Sequence, residues 1–247
     1  VFVAASTRCY SDVSFADACL QLDELQYDKI ELWLDEAAEH LKPSHIVADP
    51  DRFCTKYREA TRLSPVAFFL ESDLTYEAFA VLTRVAKQLR VTQISVSAAA
   101  LGTPFNSEVD RLRELTRIAS QDGVLVSIKT KTGRLTEDPD TAVELCRAVP
   151  GVGITLDPSY YICGPHHGAL YDQVFNYVYH VHLRDTTPDQ LQVPVGLGQI
   201  DYSRLISQLE RVRYNRALSV EVLPELADPA GRPIELRKIR LLLESLL

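Results

Sequence analysis

Eight times along the chain a short apolar run is followed by a stretch whose apolar residues recur at helical spacing, with no linker or composition break between one pair and the next. That rhythm limits the fold more than any other feature, because strands alternating with helices imply a parallel sheet covered by those helices. Strands are predicted at Phe2–Ser6, Lys29–Leu34, Ser64–Glu71, Thr92–Ser97, Val124–Thr130, Val152–Asp157, His180–Asp185 and Ala217–Leu223. Between them the spacing predicts helices over Ser14–Leu25 behind a Ser14 cap, Pro50–Arg62, Tyr76–Leu89, Asn106–Gln121, Asp140–Val149 and Asp201–Arg213. A weaker helix is expected at Tyr171–Tyr177, and Pro233–Leu246 closes the chain.

Such units either close into a (β/α)8 TIM barrel or spread into an open, doubly wound sheet. The turn after the first strand, Ser6-Thr7-Arg8-Cys9, lacks the glycine-rich pattern that an open nucleotide-binding sheet places there. The expectation is therefore a single TIM barrel domain over residues 1–247. With 46% hydrophobic and 24% charged residues, the chain has enough apolar surface for one large core. A net charge of -8 speaks against nucleic acid as a partner, since a phosphate backbone calls for a concentrated basic face. No apolar run approaches membrane-spanning length, and Val1-Phe2-Val3-Ala4-Ala5 reads as a strand. A cytoplasmic protein with neither nucleic acid nor membrane as partner is expected. The five cysteines are scattered and form no CxxC pair, so neither a disulfide framework nor a zinc site is expected of them.

In His180-Val181-His182-Leu183-Arg184-Asp185 apolar and polar side chains alternate, so Val181 and Leu183 face the helices while His180, His182 and Arg184 face the barrel interior. Two other apolar runs end in a carboxylate, at Asp157 and at Glu221. In a barrel of this kind, reacting groups sit at the C-terminal ends of strands. The inward residues there would be Glu31, Glu71, Ser97, Lys129, Asp157, His182, Arg184 and Glu221. Asp157, His182 and Glu221 are candidate ligands or acid–base groups, because carboxylates and imidazole gathered in one mouth need a cation or substrate among them. Glu31 and Glu71 are expected to hold loop backbone through hydrogen bonds. Arg184 is expected either to pair with Asp185 or another rim carboxylate, or to clamp an anionic substrate. The glycines of Gly196-Leu197-Gly198-Gln199-Ile200-Asp201-Tyr202 are expected to permit a tight turn ahead of a helix capped by Asp201.

Lys29-Ile30-Glu31-Leu32-Trp33, Leu156-Asp157-Pro158-Ser159, the His180–Asp185 stretch, the Gly196–Tyr202 loop and Ser219-Val220-Glu221 together resemble the xylose isomerase-like TIM barrels, a superfamily of sugar (phosphate) isomerases, epimerases, dehydratases and AP endonucleases. The likeness runs over nearly the whole chain, through short motifs. It implies a divalent metal (Mn, Zn or Mg) held by Asp157, His182 and Glu221, with a glutamate on strand five as fourth ligand. Lys129 stands where that glutamate is expected, and Tyr160 stands where many relatives carry a histidine. An ammonium about 4 Å from a divalent ion would repel it by roughly 8 kcal/mol at an effective dielectric near 20, so tight metal binding is not the expectation. His166 and His167, on the loop after strand six, are read as solvated residues rather than replacement ligands.

The resemblance implies an isomerase or epimerase acting on a sugar or sugar-acid substrate that carries a carbonyl group. A metal, or failing that Lys129, would stabilise an enediolate while Glu221 moves the proton and His182 assists. Glu31, Trp33, Tyr160 and Arg184 are the expected substrate contacts. Two alternatives are a dehydratase or lyase using a Schiff base on Lys129, its amine perturbed by Lys131, and a metal-free barrel that binds a sugar-like ligand without chemistry.

Overall fold

The computed structural model describes residues 1–247. Eight parallel strands close into a barrel in chain order: β1 (Phe2–Ser6), β2 (Lys29–Leu34), β3 (Ser64–Leu70), β4 (Gln93–Ser97), β5 (Leu125–Lys129), β6 (Val152–Leu156), β7 (Val178–Leu183) and β8 (Ala217–Val220). Because β1 pairs with both β2 and β8, no backbone edge is left unpaired. The expected (β/α)8 TIM barrel is the observed fold.

The covering helices are α1 (Phe15–Glu24), α2 (Pro43–Ala48), α3 (Pro50–Ala60), α4 (Tyr76–Gln88), α5 (Phe105–Ser120), α6 (Pro139–Ala148), α7 (Ser159–Ile162), α8 (Tyr202–Arg211) and α9 (Arg232–Leu246). Side-chain caps set several of their starts: Ser14, Thr75 and Asp201 accept from the backbone N–H three residues on. Each long helix buries one stripe against the strands, for example Phe79, Leu82, Val85 and Ala86 of α4 and Leu236, Ile239 and Leu243 of α9. No helix is long and apolar enough to cross a membrane.

Two departures from the sequence reading have local causes. Helix α2 was not expected. Pro43 starts it, and seven residues later Pro50 starts α3, with Asp49 ending the first and capping the second by accepting from the Arg52 N–H. The weak helix expected after strand six is a 3-10 helix over Asp172–Tyr177, preceded by the single turn of α7. The strands that carry the site also stop early. Asp157, Arg184 and Glu221 each lie one residue past the last residue of β6, β7 and β8, at the barrel rim where loops begin.

Two irregularities in pairing adjoin the residues that matter below. The β2–β3 register shifts between Ile30 and Glu31, and the β6–β7 register shifts between Ile154 and Thr155, so that Thr155 faces His180. Extra residues of this kind twist a strand and re-aim its side chains. Here they flank Glu31 and His180, which meet inside the barrel.

Candidate active site

Three tiers of charge fill the C-terminal mouth. In the deepest, Glu31 of β2 accepts two hydrogen bonds on the same oxygen, Oε2, from Nε2 of His180 and Nε2 of His182, each at 2.6 Å. Glu31 and His182 expose none of their surface and His180 about 1%. Both imidazoles must therefore carry a proton on Nε2. Burial pushes the Glu31 carboxyl up, but His182 and His180 outweigh it and hold it far below the usual carboxylate range. The two histidines then part ways. Burial holds His180 below the ordinary imidazole range despite Glu31, whereas Glu31 and Glu221 overcome burial at His182 and raise it. His182 thus lies between two carboxylates that favour its protonated form, its Nδ1 3.5 Å from Glu221 Oε2.

The middle tier holds Lys129, Asp157, Arg184 and Glu221, each with 1% exposure or less. Lys129 Nζ donates to Glu221 Oε2 at 2.5 Å and lies 3.7 Å from Asp157 Oδ2, over the ring of Phe69. The Arg184 guanidinium contacts Glu221 Oε2, lies 2.9 Å from Asp157 Oδ2, and donates to the Glu221 carbonyl and to Ser159 Oγ at 2.9 Å each. Burial pushes the Glu221 carboxyl up, yet Lys129, His182 and Arg184 hold it well below its ordinary value. The Asp157-Pro158-Ser159 sequence builds its own support: Ser159 donates through both N–H and Oγ to Asp157 Oδ1, and Thr130 Oγ1 takes the Asp157 N–H at 2.8 Å.

Above these sit Tyr160, Trp33, Glu71, Arg8 and Lys131. The Tyr160 ring, 7% exposed, lies 5.5 Å from the Arg184 guanidinium and 6.0 Å from Lys129 Nζ. Trp33, also 7% exposed, is fixed by its backbone N–H donating to Thr7 Oγ1 and lies 5.2 Å beneath the Arg8 guanidinium. Glu71 accepts from Lys131 Nζ at 2.6 Å and from Arg8 Nη1 at 3.5 Å. Arg8 also reaches Glu221 at 3.6 Å and Glu225 at 3.4 Å.

Several sequence expectations change against this geometry. Glu31 and Glu71 hold side chains, two imidazoles in one case and two cations in the other, rather than loop backbone. Arg184 follows one of its expected courses, pairing with other rim carboxylates, Asp157 and Glu221, and not with Asp185. The Asp185 carboxylate instead accepts from the N–H groups of Thr186, Gly196 and Gly198. That close approach needs a glycine at 198, where a Cβ would fall 1.9 Å from Asp185 Oδ1. Lys131 is directed to Glu71. His166, 3.9 Å from Glu137 and from Asp138, and His167, on the Ile162 carbonyl, stay on the outer loop. Ser97 is buried with its hydroxyl unpartnered. The sequence reading missed Arg8, Ser159 and the part played by His180. Arg8 lies just past the end of β1, so the strand-end rule applied to the first strand would have found it.

A family model for the xylose isomerase-like TIM barrel matches residues 71–240. The chain belongs to the xylose isomerase-like TIM barrel family. Among solved structures, a xylose isomerase-like TIM barrel protein from Mycobacterium smegmatis, in complex with magnesium, is 17% identical with a TM-score of 0.77 over 99% of this chain and 97% of that one. The probable 3-DHS dehydratase AsbF from Bacillus anthracis is 17% identical, with a TM-score of 0.74 over 98% and 99%. A D-psicose 3-epimerase is 12% identical, with a TM-score of 0.75 over 100% and 99%. At these identities the likeness is one of fold. No curated protein matches the sequence.

This xylose isomerase-like barrel carries groups of the kind that hold metals. Glu31/His180/His182 and Asp157/His182/Glu221 each bring three ligand-type atoms within 4.8 Å of one another. Asp157 Oδ2, Glu221 Oε1 and His182 Nδ1 are buried without a well-aligned hydrogen bond, as atoms awaiting an ion would be. Each nevertheless faces a charged group: Arg184 at 2.9 Å from Asp157, Arg8 at 3.6 Å from Glu221, and the Glu221 carboxylate at 3.5 Å from His182. Charge decides between the two observations. Asp157 and Glu221 are already neutralised by Lys129 and Arg184, both buried. A dication about 4 Å from those two cations would meet roughly 8 kcal/mol of repulsion from each at an effective dielectric near 20. The donor atoms suit a divalent ion, but with both cations in place the residues do not fit one.

Proposed function

We propose that this barrel moves a proton next to the carbonyl of a polyhydroxylated substrate, as a sugar (phosphate) isomerase-type enzyme in which Lys129 and Arg184 do the work of a divalent ion. The observation that carries this reading is Lys129 Nζ, 2.5 Å from Glu221 and 3.7 Å from Asp157, where it lies beside Arg184. Fixed cations in a dry site stabilise the negative oxygen of an enediolate without reorganising during the reaction. Glu221 is the base. Its carboxylate, weakened while both cations hold it, regains basicity once the substrate oxygen draws those cations away. The imidazolium of His182, oriented by Glu31, stands ready to return a proton. With a lysine in place of a second glutamate, one-base isomerisation or dehydration suits the site better than two-base epimerisation. Lys129, bound by two carboxylates, is poorly placed as a free amine nucleophile, which disfavours the Schiff-base route. In the same reading the partner is a small molecule in the cytoplasm, without nucleic acid or membrane.

One observation favours a second reading, a metal-free ligand-binding barrel without turnover: Lys129, Asp157, His182 and Glu221 expose no surface at all. Chemistry requires the Tyr160 side chain, which lies against Lys129 and Arg184, to move aside. Incubation in deuterium oxide with a set of keto sugars and keto sugar acids separates the two. Exchange of the proton beside the carbonyl, unchanged by EDTA and lost in Glu221→Gln, is expected. Exchange abolished by EDTA contradicts the metal-independent chemistry, and ligand binding without exchange favours the second reading.

A further inference from the structure

The upper tier of the mouth differs from the middle tier in being within reach of solvent. The side chains of Arg8, Glu71 and Lys131 are 14%, 15% and 25% exposed, against none for Lys129 and Arg184. Its charges are also unbalanced. Arg8 and Lys131 share the carboxylate of Glu71; Glu221, which Arg8 also reaches, is already held by Lys129 and Arg184, and Glu225 is 57% exposed and screened by water. Arg8 makes no short pair. Its contacts to Glu71, Glu221 and Glu225 run from 3.4 to 3.6 Å and go to three different carboxylates. Elsewhere in the protein a partly buried arginine takes one carboxylate in a fork, as Arg232 does with Asp12 at 2.6 and 2.8 Å. The Arg8 fork, its guanidinium carbon 5.2 Å from the Trp33 ring centroid, is therefore positioned but not filled.

The geometry points to Arg8 and Lys131 as a binding site for an oxyanion, with the Glu71 carboxylate occupying the place that a ligand's carboxylate or phosphate takes on binding. The inference rests on the reading of the mouth as the ligand site and narrows its substrate to an anionic polyhydroxylated compound, a sugar acid or a sugar phosphate. Arg184, considered from the sequence as an anion clamp, is sealed beneath and satisfied by Asp157 and Glu221, so the reachable cations set the specificity. Glu71 competes with the ligand for both, and swinging it out to water frees the pair.

Isothermal titration calorimetry at low ionic strength tests this with D-gluconate, inorganic phosphate and neutral D-fructose as probes. Saturable binding of at least one anion is expected, weakened about tenfold or more in Arg8→Ala and in Lys131→Ala, since each removes a charge-assisted contact. Glu71→Gln should tighten the same anion, a gain that a purely structural Arg8 would not give. Gluconate binding without phosphate binding identifies a carboxylate ligand, and the converse a phosphorylated one. Equal affinity in Arg8→Ala, or fructose binding as tightly as either anion, overturns the inference. Anion binding with no deuterium exchange leaves the oxyanion site standing while the catalytic reading fails. Exchange on neutral sugars without anion binding does the reverse.

Discussion

Lys129→Glu should turn a protein indifferent to divalent ions into one that binds them. The substitution removes the ammonium that lies among Asp157, His182 and Glu221 and puts a fourth ligand, a carboxylate oxygen, in its place. Without metal, the new carboxylate meets two others in a buried site, so the variant should be less stable than the parent, by about 3–5 kcal/mol if it behaves like other broken buried ion pairs. Added manganese should offset much of that loss. At about a hundred times the dissociation constant, binding stabilises by roughly 2.7 kcal/mol, which for a domain of this size raises the melting temperature by about 5–10 °C. The parent protein should show no such shift over the same titration. A parent shift as large as the variant's would mean that Lys129 yields to the ion, and the charge argument would then be wrong.

Glu31→Gln should carry the second large effect, on stability and on its pH dependence. The glutamine keeps the shape but not the charge, and leaves two buried imidazoles without the carboxylate they share. A loss of about 3–5 kcal/mol at pH 7 is expected by urea denaturation. Glu31, Glu71 and Glu221 all titrate below their unfolded values. Their stabilisation is therefore complete above about pH 4.3 and is lost as the pH falls through the folded values. His180, also lowered, adds a loss that starts below about pH 6.5. His182 is raised, so its contribution is complete below about pH 6.5 and fades as the pH rises through its folded value. Without Glu31, His180 loses its carboxylate partner and His182 keeps only Glu221, so protonating them costs more in the folded state and the acid limb of the stability curve should move up, falling from about pH 6.5 rather than mainly below about pH 4.3. An unchanged acid limb would show that the Glu31 pair does not govern the histidines.

The barrel was legible because its signals are local. Alternation along His180–Asp185, the caps at Ser14 and Asp201, and the missing glycine turn after β1 each act within a few residues. The same locality explains the errors. Period-2 alternation says that Glu31 faces inward, but not that its partners are His180 and His182, about 150 positions away. Lys129 was visible as a departure from the family's metal set because it falls on a strand of known phase. Arg8 sits on the turn just past β1, where position after a strand end marks it as a candidate but no periodicity reports its side chain's direction. The short α2 escaped since its six residues carry too few apolar positions to show a period. Nor does alternation report depth: nothing in the sequence distinguishes the sealed Arg184 from the reachable Arg8.

Anomalous diffraction from crystals of the parent protein grown in millimolar manganese would test the substitution of an ammonium for a metal most directly. The expected map has no anomalous peak among Asp157, His182 and Glu221, with Lys129 Nζ in hydrogen-bond contact with Glu221. A peak bonded to those three side chains, with Lys129 swung away from them, would contradict it.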